Sequence, residues 1–474
     1  NLLEDEDISA LNLLQQIRKS LDQIKGKDSA LDKMIDQFIE NLLNLQDIGG
    51  DLTSYLSNLE ADPAQFAALQ ERKAALNSLL KRYGKGSDRD AAYEQLLIDG
   101  QGAYVSMGWM DPFGVCPDPG EPWKETLLSY SEAAQKGGFT QVAALCGSNP
   151  KPDNESVIAQ VNGIGKGLPA EILPLGYSSV GGEGKEMAEM YEMHLSGALA
   201  FTDGVTGSAS LGLRTKLMQY AHSLGLNYIH FPFQKALAPD GKIHEGLVNA
   251  SLGFKGIPSV SETVELLADI ELAKYLKSPL RVMGVSSAES VDVIRRAKAD
   301  GVEIYAAVPV LNLMYTDEAM LDFDENLKVL PPLRAESDRK ALLLGLLDGT
   351  LTAVMSNHHP EDIENKKLEF DYAAWGAATL MQTFSLMCEA FQYERPELWV
   401  PLLFQGNRQF MGVALDAMGE GAEANLTLFT LDGEYCLMDE RNPSKAYNVP
   451  RKADLLKGRV LGTIRRGCYM KNHD

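Results

Sequence analysis

Cysteine is scarce in this chain of 474 residues: five thiols, at positions 116, 146, 388, 436 and 468, with no Cys-x-x-Cys spacing among them. So few cannot staple a chain this long, and the expected setting is reduced and cytoplasmic. Basic residues are in deficit as well, 44 Lys and Arg against 66 Asp and Glu, for a formal net charge of −22. A surface that tracks nucleic-acid phosphates needs dense Lys and Arg to release counterions, so nucleic acid is not an expected partner. No run reaches the roughly 18 to 20 apolar residues of a membrane helix, and no signal-peptide pattern opens the chain, so no membrane partner is expected either. A nucleotide-binding Gly-x-x-x-x-Gly-Lys-Ser/Thr loop is missing too: Gly182-Glu-Gly184-Lys185-Glu186 lacks both the spacing and the hydroxyl. The chain opens on Asn1 rather than methionine, as a trimmed or engineered one would.

What is present is an ordinary hydrophobic fraction of 45% and enough length for two or more domains. From Ala10 to about Gly84 the apolar residues step by three and four: Leu14, Ile17, Leu21, Ile24, then Leu31, Ile35, Phe38, Leu42, Leu45, and on through Leu52, Leu56 and Leu59. That is the seam of a coiled coil. Asp62-Pro63 supplies a cap and a first-turn proline, and Phe66, Leu69, Leu76 and Leu80 resume the spacing. The spacing predicts an all-α, antiparallel coiled-coil arm over residues 1–95.

Past Tyr83-Gly-Lys-Gly-Ser-Asp the period changes. Apolar, β-rich runs fall at 103–110, 139–146, 171–177, 197–203, 226–233, 279–286, 303–311 and 350–357, separated by helical stretches that include 122–136, 186–195, 211–224, 260–277, 287–299 and 337–347. Eight strands alternating with helices predict an α/β fold, the (β/α)8 TIM barrel, over 96–415. Ser259 with Glu262 and Ser286 with Glu289 read as capping boxes. Residues 365–412 read as further helices carrying Trp375, Phe384 and Phe391, and 416–474 as a β-rich tail packing on the barrel.

Two resemblances add to this reading. Asp51-Leu-Thr-Ser-Tyr-Leu-Ser-Asn-Leu-Glu-Ala-Asp-Pro, Gln70-Glu-Arg-Lys-Ala-Ala-Leu and Leu80-Lys-Arg-Tyr-Gly resemble the coiled-coil arm of the RecN family of DNA-repair ATPases, without its nucleotide loop. From about residue 97 onward, Asp99-Gly-Gln-Gly-Ala-Tyr-Val-Ser-Met-Gly-Trp-Met-Asp, Asp118-Pro-Gly-Glu-Pro-Trp-Lys-Glu, Ala200-Phe-Thr-Asp203, Asn326-Leu-Lys-Val-Leu-Pro-Pro-Leu-Arg, Phe370-Asp-Tyr-Ala-Ala-Trp-Gly and Leu456-Lys-Gly-Arg-Val resemble dihydroorotase. The second resemblance implies an amidohydrolase-type barrel in which zinc-activated water opens or closes a cyclic amide.

Carried over position by position, that resemblance implies a depleted site. The first-strand His-x-His falls on Phe113 and Val115, the fifth-strand histidine on Phe231, the sixth-strand histidine on Gly284 and the eighth-strand aspartate, base and ligand in the family, on Asn357. Substrate-binding positions fall on Pro117, Gly147 and Leu330. Asp203 is retained, His358 stands beside Asn357, and both are read with Asn357 as vestigial. No catalytic residue, metal or other cofactor is expected, with zinc the cofactor if this reading fails. Cys116 reads as a buried or inert thiol, and His230 as a packed or solvent-facing histidine one position off the family ligand.

The resemblance thus implies a catalytically inactive dihydroorotase-like protein with a structural or regulatory role in pyrimidine biosynthesis, a homodimer or a partner of aspartate transcarbamoylase. The alternatives are an active amidohydrolase with altered chemistry, and an interaction module whose purpose lies in the arm. In the family several N-terminal strands pair with the tail, and here the arm stands in their place. Either the chain is a chimera joined near residue 96, or the tail pairs otherwise.

Overall fold

A computed structural model describes residues 102–472 apart from 206–208, 417–421 and 439–441, together with residues 33, 35 and 37–39. The chain divides into two compact units, Asn1–Leu97 and Ile98–Asp474. In the first, residues 33, 35 and 37–39 are helical. The remainder of the expected arm, the reversal at Asp62-Pro63, the RecN resemblance and the junction near residue 96 lie outside the described residues.

In the second unit the run expected as the first barrel strand is two strands. β1 (Tyr104–Met107) ends before Gly108 and β2 (Trp109–Cys116) begins after it. Glycine is required there, since a Cβ at Gly108 would lie 2.0 Å from Asn425 Oδ1 and 2.4 Å from Thr140 Oγ1. The barrel strands are then β2, β3 (Phe139–Cys146), β4 (Glu171–Gly176), β5 (Ala200–Phe201), β6 (Ile229–His230), β9 (Leu280–Met283), β10 (Ile304–Pro309) and β11 (Ala353–Met355). Between β6 and β9 lies a two-stranded parallel ribbon, β7 (Ile243–His244) with β8 (Gly256–Ile257).

The barrel strands form two parallel four-stranded sheets, β2-β3-β4-β5 and β11-β10-β9-β6. Single bridges close the ring on both sides. Phe201 pairs with Tyr228, and the Phe201 N–H donates to Asn227 O at 2.8 Å; Gly114 pairs with His358, and the Val115 N–H donates to His358 O at 2.8 Å. Closure consumes the edge groups that an open sheet would expose.

Helices Leu127–Lys136, Glu155–Gly165, Met190–Leu195, Leu211–Ser223, Val260–Leu276, Ala288–Ala299 and Glu336–Leu347 pack outside the strands. Two of their starts differ from expectation. Ser259 makes no capping bond, since its own backbone is helical at φ −59°, ψ −30°, and Glu262 turns away to accept from the Ser286 and Ser287 N–H groups at 3.0 and 3.2 Å. The cap of Ala288–Ala299 is Ser287, accepting from the Ser290 N–H, one residue beyond Ser286. Trp375 lies in a loop rather than a helix.

The tail does find a partner. β1 pairs antiparallel with β12 (Asn425–Cys436), which pairs with β13 (Leu455–Arg465) and then β14 (Cys468–Lys471). Trp109, at the foot of the barrel, packs its ring against Phe384 and Phe429 at centroid distances of 4.9 and 5.3 Å and fastens this small sheet. Among the described residues no helix is long and apolar enough to cross a membrane.

Candidate functional site

The C-terminal ends of barrel strands are where chemistry is built in such folds. Here those ends lead into an apolar interior. Met110, Phe113, Ala143, Leu145, Leu175, Ala200, Phe231, Met283 and Met355 form one buried cluster, with Val115, Tyr177 and Leu330 packed against it. In a regular strand residues three apart face opposite ways. The register shift between Asp111 and Gly114 resets that alternation, so that Met110 and Phe113 share the interior.

Each residue on which the resemblance places a family ligand has a physical role of its own. Phe113 and Phe231 are 1% and 3% exposed and offer only ring carbons. Gly284 has φ +77°, and a Cβ there would lie 2.4 Å from Phe231 Cε2. The Phe231 ring thus fills the space that a side chain at 284 would use. Asn357 sits at φ +52°, in the left-handed region that asparagine tolerates, and its Nδ2 donates to Leu330 O at 2.9 Å. Its side chain clasps the Leu330-Pro331 segment rather than offering a base, and an amide takes no proton at neutral pH.

The two retained polar residues are anchors. Asp203 is 9% exposed, and its carboxylate accepts from the Ser178 hydroxyl, the Ser179 N–H and the Ser179 hydroxyl, each at 2.8 Å. Those bonds fix the turn after β4. His358 is 1% exposed and lies against the helical layer: its Nδ1 accepts from the Thr379 N–H at 3.0 Å and the Leu380 N–H at 3.3 Å. Its Nε2 faces Glu125 Oε2 at 3.7 Å. Burial acts to raise the Glu125 carboxyl, but His358 beside it and the Ser129 and Ser444 hydroxyls outweigh that and hold it below its ordinary range. Asp203, Asn357 and His358 therefore serve three separate local networks.

Sequence reasoning passed over Asp111. Fully buried, it accepts from the Ser356 N–H at 2.7 Å and the Ser356 hydroxyl at 2.5 Å, joining the first barrel strand to the end of the last. Burial pushes its carboxyl up to about 7, against the lowering effect of those bonds. No spacing in the sequence signals it, since Asp111 and Ser356 are 245 positions apart. The serine is its partner in closing the ring.

Other polar groups gather outside the strands. His230 Nδ1 meets Asp269 Oδ2 at 2.6 Å, and Arg214 Nη1 donates to Asp269 Oδ1 at 2.7 Å while Nη2 bonds Glu265. Arg334 pairs with Glu262 at 3.2 Å and reaches His244 Nδ1 at 3.2 Å. Lys328 donates to the carbonyls of Phe370, Asp371 and Ala373, and Lys366 to those of Ala374 and Gly376, so two buried ammonium groups hold the loop after β11. Burial pushes Lys328 down to about 8 and Lys366 down to about 7. Cys116 and Cys146 are register partners on β2 and β3, and burial raises the Cys116 thiol well above its ordinary value, which leaves no thiolate nucleophile.

A zinc centre needs converging imidazole, thiolate or carboxylate lone pairs about 2 Å from the ion. Phe113, Val115, Phe231, Gly284 and Asn357 do not supply them, and among the described residues no group of three or more His, Cys, Asp or Glu is placed to hold a metal ion. The residues present do not fit the metal.

Known proteins show the same architecture with other names. Residues 117–290 match the family described as Dihydro-orotase-like. The chain is 34% identical over 405 residues to a dihydroorotase of Caldanaerobacter subterraneus, covering 83% of this chain and 93% of that one. It is also 34% identical over 371 residues to a dihydroorotase of Pelotomaculum thermopropionicum, covering 78% and 87%. Among solved structures, the L-hydantoinase (dihydropyrimidinase) of Arthrobacter aurescens superposes with a TM-score of 0.70 at 19% identity, over 80% of this chain and 87% of that one. At that identity the likeness carries the fold, a parallel α/β barrel, and nothing finer. With identity of this extent over nearly the whole of its relatives, the chain belongs to the dihydroorotase family.

Proposed function

We propose that this barrel is a catalytically silent member of its family, kept for a structural or regulatory role in pyrimidine biosynthesis. The observation that supports it best is the Phe231 ring packed where a side chain at Gly284 would stand. Two ligand positions are lost there in one contact, and the void that a metal would need is filled by carbon. Opening a cyclic amide requires an activated water and a base to move its proton. Asn357 cannot be that base, and Asp203 is fully engaged by the Ser178–Ser179 turn. The carboxylate of a dihydroorotate-like substrate would find Pro117, Gly147 and Leu330 where its donors are expected, so charge-assisted bonds worth a few kcal/mol are missing.

A silent barrel acts through what it assembles with. Family analogy favours a homodimer or a complex with aspartate transcarbamoylase. The test joins metal analysis of the purified protein to ultraviolet monitoring of dihydroorotate turnover, before and after zinc is supplied. The expected result is substoichiometric zinc and no turnover. Stoichiometric zinc with turnover would sink the proposal and restore an active amidohydrolase. Mixing with aspartate transcarbamoylase from the same source and sizing the mixture tests the partner: a shared peak supports it, and two independent peaks remove it.

A further inference from the structure

The family's chemistry belongs at the C-terminal end of the barrel, yet a cleft of about 490 Å³ opens at the opposite end. Its walls are the residues that lead into β10 and β11, the last turns of helices Ala288–Ala299 and Glu336–Leu347, and the π-helical turn Leu402–Gly406. π-turns widen a helix and recur at functional sites. Here the turn is fitted closely to the barrel: a Cβ at Gly406 would lie 2.2 Å from Thr352 O. The volume falls within the range of small-molecule sites.

Chemistry divides this cleft into a head and a body. Ile304, Leu346, Leu351 and Leu402 supply an apolar floor. Lys298 lies at the rim, donates to Gly349 O at 3.0 Å, and has no carboxylate within ion-pair distance among the described residues. Asp348, the carboxylate that acts on Lys298 through space, is itself bonded to Arg295 at 2.9 Å. Glu303, the acid that lines the cleft, receives the Tyr305 hydroxyl at 2.6 Å, and the Arg281 guanidinium sits 4.8 Å above the Tyr305 ring. Gln405 and Gln409 lie one helical turn apart, exposed, with side-chain amides that bond to no described residue. Lys298 thus brings to the edge of the apolar floor an ammonium that forms no ion pair among the described residues, with the Asp348 carboxylate acting on it only from a distance.

We infer that this cleft binds a small amphipathic carboxylate, with the head group on Lys298 and the amides of Gln405 and Gln409, and the hydrocarbon on Ile304, Leu346, Leu351 and Leu402. A charge-assisted bond from an ammonium is about twice as strong as a neutral one, so the head should discriminate sharply. The site is separate from the apolar interior of the barrel and does not depend on whether the barrel is silent.

Octanoate is the probe, titrated calorimetrically into the full-length protein alongside octanol and octylammonium. Octanoate is expected to bind with a dissociation constant on the order of 0.1–1 mM, and the other two at least about tenfold more weakly. Lys298→Met is expected to weaken octanoate about tenfold while Lys298→Arg retains it, and Leu402→Trp, which fills the floor, is expected to abolish it. Circular dichroism of each variant confirms that it is folded. Three outcomes would each overturn the inference: octylammonium binding as tightly as octanoate, Lys298→Met leaving octanoate unchanged in a folded protein, or no octanoate binding up to about 10 mM.

Discussion

The inside and the outside of this barrel have exchanged the properties expected of a hydrolytic fold. Toward the axis, Phe113, Phe231, Met283 and Met355 make an apolar core. Outside the strands stand ionisable groups, Arg214 with Asp269 and Glu265, Arg334 with Glu262, and Glu125 beside His358, all of them buried. An interior that keeps its ionisable groups must desolvate them toward a ligand and stabilises the fold less for doing so. One filled with carbon gains burial free energy of roughly 25 cal/mol per Å² and gives up the chemistry. The family architecture survives this exchange because closure of the ring depends on main-chain bridges and on Asp111 with Ser356, none of which uses a side chain at the metal positions.

If the outer layer now carries the costly polar groups, breaking it should have the largest effect. Asp269→Ala strands Arg214 and His230, both buried, without their shared carboxylate. Removing one member of a buried pair costs about 3–5 kcal/mol. All four tryptophans lie within Ile98–Asp474, so fluorescence in a urea titration reads the stability of that unit. A loss below about 1 kcal/mol would mean that the outer network is solvated and that the contrast with the interior is false.

The interior makes the next prediction, which concerns coupling. Gly284→Ala places a methyl 2.4 Å from the Phe231 ring at a positive φ, so overpacking and backbone strain add to about 2–3 kcal/mol. In a Phe231→Ala background the overlap disappears, and the same substitution should cost only the backbone part, about 1 kcal/mol. A double-mutant cycle in denaturant measures the difference. Additive costs would separate Phe231 from Gly284 and remove the packing argument.

How much of this could be read in advance follows the same division. The helices at 211–224, 260–277 and 287–299 and most strands were legible because their period is local and strong. The first strand was misplaced because 103–110 reads as one apolar run, and only the approach of Asn425 and Thr140 to Gly108 divides it. Ser259 with Glu262 looked like a capping box, yet Glu262 bonds to Ser286, Ser287 and Arg334, partners supplied by other elements. The placing of the family's ligand positions on Phe113, Val115, Phe231, Gly284 and Asn357 rests on resemblance alone. The outer pairs were invisible, since Arg214 and Asp269 are 55 positions apart and follow no spacing rule.

Asp111 sharpens the comparison with pH. Its folded carboxyl is raised to about 7 by burial, while in the unfolded chain it titrates near 3.8. Between those values the folded state holds the proton more tightly, so the contribution of Asp111 is fully present at low pH and is lost as pH rises toward 7. The slope is at most about 1.4 kcal/mol per pH unit. Asp111→Asn cannot titrate, so subtracting its stability profile from that of the parent should leave a fall between pH 4 and 7. Parallel profiles would mean that Asp111 is already ionised and that the ring is closed by a charge.

The smallest stability effect carries the most functional weight. Asn357→Asp restores the family aspartate at a position whose φ of +52° aspartate also tolerates, and it removes the Nδ2 donor from Leu330 O. Loss of that one bond should cost about 1 kcal/mol. No zinc binding and no dihydroorotate turnover should accompany it, because Phe113, Val115, Phe231 and Gly284 still present no lone pair to the axis of the barrel. Metal analysis of the variant, in zinc-supplemented buffer, gives the answer. Stoichiometric zinc after this single change would show that the interior is only one residue from a working centre, and that the exchange between inside and outside is far shallower than its packing implies.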